Sequence, residues 1–297
     1  MPRKPLIVIP VEAPVKQAAF DLYPTIINAV NTAGEALQDG DVLALSSKYA
    51  AISEGRVVDL DAVQVSAKAD DIATRYVMNP ELTELILQEA DHVFGGIVHD
   101  FNGVQVGFLL TRKDGIISPN AGLDRSNIPS GQVVLFPADP YQLAAHVRAQ
   151  IQSQAGVNVG VVLTDSWLMP GRLGTTGVAL AAAGFAPVRD MRGKADLFGN
   201  PMQVTQVGVA DTIATTAQMV MGEVDEATPI AIVRNSGVAL ADITLSEADV
   251  AIDWQMDIYV GALTVGLLED GAPVDTPTER HMRPPLARPT SRHSSTG

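Results

Sequence analysis

The sequence predicts a mixed α/β or α+β fold, not a doubly wound sheet, and three observations carry that expectation. Strand-like apolar runs and amphipathic helical runs alternate, but unevenly. A hairpin signal, Asn102-Gly103, stands mid-chain inside a stretch rich in Val, Phe, Ile and Gly. Several apolar runs end in clusters of polar side chains, the position where ligand chemistry gathers in α/β folds. The composition supports a buried core, with 46% hydrophobic and 18% charged residues. Aromatics are only 5%, so Ala, Val, Leu and Ile must build it.

In chain order, Leu6–Ile9 reads as a first strand closed by Pro10, and Tyr23–Ala36 as a helix with Pro24 in its first turn. Val42–Leu45 is a strand after the Gly40-Asp41 turn and ends in Ser46-Ser47-Lys48; Val57-Val58 continues extended. Ala67–Met78 and Pro80–Glu89 are two helices divided at Asn79-Pro80, the second with an early Glu81 and the stripe Leu82, Leu85, Ile86. Val93–Leu110 forms the hairpin, Ile116-Ile117 follows, and residues 118–127 make a polar loop. Gln132–Phe136 is a strand and Tyr141–Gln154 a helix started by Asp139-Pro140.

Val159–Leu163 is long enough for one buried strand and stops at Thr164-Asp165-Ser166, followed by a glycine-rich turn over 171–177. Val204–Met221 reads as one long, largely apolar helix stopped by Gly222. Ile230–Val233 is the last strand. Ser246-Glu247-Ala248-Asp249 opens a final helix to about Val265 with a capping-box-like pattern. Residues 1–268 read as the folded region, in one body or two subdomains, and 269–297, dominated by Pro, Arg, Ser and Thr, as a flexible tail.

Composition also narrows the chemistry. A net charge of −14 argues against a nucleic-acid partner, which needs a basic surface for phosphates. With no cysteine, disulfides, thiolate nucleophiles and Cys-based metal sites are excluded. The five histidines have no metal-binding spacing, so any metal is a hard cation held by oxygen. No signal peptide or membrane helix is visible, and a soluble cytoplasmic protein without a membrane partner is expected.

Three acids, Asp124, Asp165 and Glu223, each stand in a break between apolar elements. Magnesium or manganese takes one to three carboxylates and leaves room for phosphate oxygens, so loops that converged would make a metal–nucleotide site; otherwise these are solvated loop acids. There is no Walker A loop and no GxGxxG after a strand. Gly171, Arg172 and Gly174 can form a phosphate nest or a plain flexible turn, and Lys48 a phosphate point charge or a surface lysine. His99 and Tyr49 are taken as structural.

Five blocks, GDVLALSSKYAAISEGRVV, SPNAGLDRSNI, VGVVLTDS, VRDMRGKADLFGNPMQVTQVGVADTIA and MGEVDEATPIAIVRN, resemble in this order and spacing the coenzyme F420-0:L-glutamate ligases (gamma-glutamyl ligases) over residues 5–240. The resemblance implies an intertwined α/β homodimer with mixed sheets and flanking helices. It implies a GTP- and metal-dependent ligase that adds L-glutamate to the terminal carboxylate of a deazaflavin precursor, through an acyl phosphate attacked by the glutamate amine.

It places metal ligands on Asp124, Asp165 and Glu223, with one or two Mg2+ or Mn2+ ions and, optionally, K+. Asp165, Arg172 and Lys48 take catalytic roles; Ser47, Lys48, Asn120, Ser166, Gly171, Gly174, Arg189 and Asp196 line the nucleotide or substrate, and Asp211 lies near them. Phosphoryl transfer needs positioning and charge neutralisation above all, which suits metal ions held by an acidic protein.

The chain departs from the pattern at four positions. Family members read TDTxGR and then a further arginine; here Leu168 stands at the glycine and Met169 at the first arginine, leaving Arg172 in place of a later basic residue. Ile52 replaces a lysine and Thr212 a glutamate. These losses leave open a relative with another acceptor or nucleotide, or a nucleotide or cofactor binder without ligase activity.

Overall fold

In the computed structural model, which describes residues 4–253 and 256–260, the chain enters on strand β1 (Ile7–Val11) and continues into helix α1 (Leu22–Thr32). Pro10 lies inside β1 and does not close it. The strand is at a sheet edge, where ladder bonds are needed on one side only and a residue lacking an N–H is tolerated. The first helix stops four residues before its expected end, where Gly34 turns left-handed (φ 73°).

Strand β2 (Val42–Ser46) runs directly into the short helix α2 (Ser47–Ser53), and β3 is Val57–Asp59. Helices α3 (Ala67–Tyr76) and α4 (Pro80–Glu89) follow, the second capped by Asn79, whose side chain accepts the Leu82 N–H at 2.7 Å. The hairpin forms as the Asn-Gly pair requires: β4 (His92–Phe101) and β5 (Val104–Lys113) flank Asn102 and Gly103, both with positive φ, and β6 (Ile116–Pro119) adds a third strand. Strand β7 (Gln132–Val134) pairs with β3, and helix α5 (Pro140–Gln150) is capped by Asp139 and prolonged by one wider turn to Ala155.

Three expectations are corrected beyond this point. The strand expected to end at Leu163 runs on as β8 (Gly160–Leu168), because its outer half pairs with β9 (Thr175–Ala183) and is carried through a bulge between Leu163 and Thr164. Gly177 therefore belongs to a strand, and the glycine turn is only its hairpin tip. The expected helix 204–221 is a strand followed by a helix: β10 (Val188–Asp190) pairs with β11 (Gln206–Gly208), and α6 (Val209–Met221) begins after Gly208. A continuous apolar run does not separate strand from helix by periodicity, and here the partner strand decides it. Gly222 stops α6 as expected, with φ 74°, and β12 is Ile230–Arg234. The Ser246–Asp249 capping box forms, but it closes a single turn, Glu247–Asp249, and residues 251–253 carry no regular structure. Of the remainder of that helix and the tail, only 256–260 fall among the described residues.

The central sheet has the order β1-β12-β2-β8-β9, with β2 and β8 parallel and every other pair antiparallel. Both faces are covered, which is why β2, β8 and β12 read as unbroken apolar runs. Leu43, Leu45, Val161, Leu163, Ile230 and Ile232 pack on the side of α1 and α5; Val42, Ala44, Val162, Ala231 and Val233 pack against α6. This mixed α/β arrangement is the class expected from the sequence. The segment through Ala251 makes one compact unit. Among the described residues, no helix is long and apolar enough to cross a membrane.

Candidate active site

The parallel pairing of β2 with β8 sets Ser46 beside Thr164, so the next residues of the two segments also lie side by side. Ser47 Oγ donates to Asp165 Oδ2 at 2.7 Å, and the Ser166 N–H donates to Oδ1 at 2.8 Å. Burial dominates the environment of the Asp165 carboxyl and pushes its pKa from the ordinary 3.8 up to about 6, against the lowering effect of these two hydrogen bonds. The neighbouring Asp124 charge acts in the same upward direction.

Asp124 is delivered by the polar loop. Its backbone forms a two-bond bridge to Val134, and Val134 packs under α2 against Ala51 and Ile52. Lys48, in the first turn of α2, reaches across: its Nζ lies 2.5 Å from Asp124 Oδ2 and donates to Ser126 Oγ at 2.6 Å. Burial works to raise the Asp124 pKa, but Lys48 and the Ser126 hydrogen bonds outweigh it and hold the carboxyl below its usual range.

The third acid follows α6. Glu223 Oε1 accepts from Ser166 Oγ at 2.6 Å and from Gln218 Nε2. Glu226 accepts the Val224 N–H at 2.8 Å and tucks against Gly222; a Cβ at Gly222 would fall 2.1 Å from its carboxyl carbon. Asn127 Nδ2 donates to Val224 O at 2.7 Å and ties the two loops together. The result is one cleft of about 240 Å³ whose walls include Lys48, Asp124, Asp165, Ser166 and Glu223.

The other expected site residues lie elsewhere in this chain. Gly171, Arg172 and Gly174 occupy the exposed tip between β8 and β9, where Leu168 and Met169 are also exposed. Arg189 is exposed on β10, and Asp196 caps an exposed turn through the N–H groups of Phe198 and Asn200. Asn120 is a loop anchor, accepting the Leu109 N–H at 2.9 Å, and Asp211 accepts the Ala179 N–H at 3.0 Å from α6. Thr212 returns its hydroxyl to Gly208 O. Ile52 does line the cleft and is buried there. His99 makes tilted ring contacts with Phe101 and Phe108, and Tyr49 donates to Pro14 O while also lining the cleft.

Sequence reasoning missed Lys16, Ser126, Gln218 and Glu226, all of which line the cleft. Gln218 had one signal: a polar side chain in an apolar helix turn, just ahead of Gly222-Glu223. Ser126 lies in the polar loop 118–127 that the sequence marked out, while Lys16 and Glu226 carry no local signal of their own.

The donor set suits a hard cation. Asp124 and Asp165 both line the cleft, and among the described residues no cation forms an ion pair with Asp165, Lys48 being engaged by Asp124. Among the described residues, no three His, Asp or Glu side chains come close enough to hold one ion by themselves. A cation here would be held by two acids and would leave several positions for phosphate oxygens or water, as magnesium commonly does.

A family model described as F420-0:Gamma-glutamyl ligase matches residues 10–235, a span that contains all three acids. The coenzyme F420:L-glutamate ligase of Methanothermobacter thermautotrophicus is 34% identical to this chain over 221 residues, 74% of this chain and 85% of the relative. That of Methanopyrus kandleri is 37% identical over 201 residues, covering 67% and 76%. That of Archaeoglobus fulgidus is 34% identical over 234 residues, covering 78% and 88%.

Proposed function

This chain belongs to the F420-0:gamma-glutamyl ligase family and is an amide-forming ligase, and we propose that it attaches L-glutamate to the terminal carboxylate of a coenzyme F420 precursor in the cytoplasm, at the expense of GTP. The observation that carries this reading is the convergence of Asp124, Asp165 and Glu223 on one cleft from three segments far apart in sequence.

A carboxylate oxygen of the precursor attacks the γ-phosphorus of GTP, the bond to the β-phosphate oxygen breaks, and GDP leaves. The glutamate amine then attacks the acyl carbon, loses its proton, and inorganic phosphate departs as the amide forms. Asp124 and Asp165 would hold Mg2+ or Mn2+, which when bound supplies the positive charge that phosphate oxygens require. Lys48 fixes the Asp124 carboxylate in place. Ser47 and the Ser166 N–H orient the Asp165 carboxyl, and Gln218 with Ser166 does the same for Glu223. Glu223 and Glu226 add a negative potential to the cleft that favours the ammonium of the incoming amino acid.

Incubation with the deazaflavin precursor, GTP, manganese and L-glutamate is expected to yield glutamylated product and GDP. GDP release only with another acid would assign a different acceptor, and nucleotide binding without turnover would leave a silent binder.

The intertwined homodimer belongs to the same reading. Leu173 at the β8–β9 tip and Leu197 and Phe198 beyond β10 are 90% or more exposed, an apolar set that a second copy would cover, and Arg172 stands at the same tip. Light scattering at micromolar concentration is expected to give twice the chain mass; a monomer would contradict the dimer.

A further inference from the structure

Six charged side chains line the cleft: Lys16, Lys48, Asp124, Asp165, Glu223 and Glu226. Five are engaged by the protein itself. Lys48 and Asp124 pair with each other, Ser47 donates to Asp165, Ser166 to Glu223, and the Val224 N–H to Glu226. Lys16 has no ion pair or hydrogen bond among the described residues. The residue is half-buried, and its ammonium rests over the Phe20 ring, 5.1 Å from the centroid. A cation–π contact of this kind holds an ammonium in place without a hydrogen-bond acceptor, so N–H donors remain for another partner.

The place of Lys16 in the cleft identifies that partner. The Ala13 N–H donates to Ala227 O at 3.0 Å, so the segment carrying Lys16 runs beside the segment carrying Glu226. Beside the Lys48–Asp124 pair, the same cleft thus holds an unengaged ammonium and the two acids that follow α6, Glu223 and Glu226. A zwitterion with an additional carboxylate matches this distribution: its ammonium goes to the acids and a carboxylate to the lysine.

We infer that Lys16 is the residue that binds a carboxylate of the incoming L-glutamate, and so fixes the amino-acid end of the cleft, an assignment that rests on the ligase reading above. Lys16 acts as a positioning residue: it makes a charge-assisted hydrogen bond to an oxyanion that keeps its charge through the reaction, and it takes no part in bond making.

The test compares wild type with Lys16→Met, which keeps the aliphatic stem over Phe20, and Lys16→Arg, which keeps the charge. Lys16→Met is expected to raise the KM for L-glutamate by about tenfold or more, with kcat and the KM values for GTP and precursor changed by less than about threefold. Lys16→Arg is expected to recover most of the lost affinity. An unchanged glutamate KM in Lys16→Met would overturn the inference. A rise confined to GTP would assign the lysine to a phosphate instead, and a rise confined to the precursor would assign it to the acceptor carboxylate; either also overturns it. If wild type makes no glutamylated product, the ligase reading fails separately, and calorimetric titration with L-glutamate decides Lys16. Binding to wild type that Lys16→Met loses supports it, and no binding to wild type, or equal binding to both, removes it.

Discussion

Asp165→Asn is expected to abolish metal-dependent GTP binding and to reduce ligase turnover by about 10²–10³-fold or more, with the fold intact. The fold survives because asparagine preserves both local contacts. Its Oδ1 accepts the Ser166 N–H, and its Nδ2 donates to Ser47 Oγ, a hydroxyl able to accept as well as donate. What is lost is the negative charge. In the cation-free protein the wild-type carboxyl keeps its proton to about pH 6, because burial disfavours the charged form. A cation must displace that proton, so wild-type metal affinity is expected to fall as pH drops below about 6.

The stability sign runs the other way. A carboxyl whose pKa is higher in the folded than in the unfolded state costs the fold stability as pH rises from the ordinary 3.8 through about 6. Without metal at pH 7, the variant is therefore expected to be at least as stable as wild type. Manganese and GTP titrations with thermal melts check all of this; unchanged GTP affinity would remove Asp165 from the site.

Gly177→Ala is expected to lower the free energy of unfolding by about 1–3 kcal/mol and to impair activity as well. A Cβ at this position would lie 2.4 Å from Ala214 O and 2.9 Å from Thr215 N, both backbone atoms of α6, which have no rotamer with which to move aside. The close approach is reinforced by Thr215 Oγ1, which donates to Gly177 O at 2.7 Å. Because α6 carries Gln218 and leads directly into Glu223, a helix pushed off β9 takes one wall of the cleft with it. Denaturant unfolding and the glutamylation assay read the two effects; an unchanged midpoint would show that α6 has room to spare at this contact.

Much of the fold was legible where the deciding interactions are local. Asn79 and Asp139 cap their helices from within the same turn, Asn102-Gly103 adopts the positive φ values that a two-residue hairpin needs, and Gly222 ends α6 for the same reason. The strands that went unread depend on distant partners. The outer half of β8 is a strand only because β9 pairs with it, and β11 only because β10 does. Their residues carry no local preference strong enough to override that pairing.

The sequence by itself determined the family, the mixed fold class and three acids placed in breaks between apolar runs, since residue order and local chemistry suffice for these. Only the tertiary structure decided that the acids share a cleft, that Ser47 steadies Asp165, that Arg172 and Arg189 stand outside that cleft within one chain, and that Lys16 stands inside it. The physical reason is that a cleft is built from contacts across more than a hundred residues of chain, fixed by strand register and helix packing, and no sequence spacing encodes the direction in which a side chain then points.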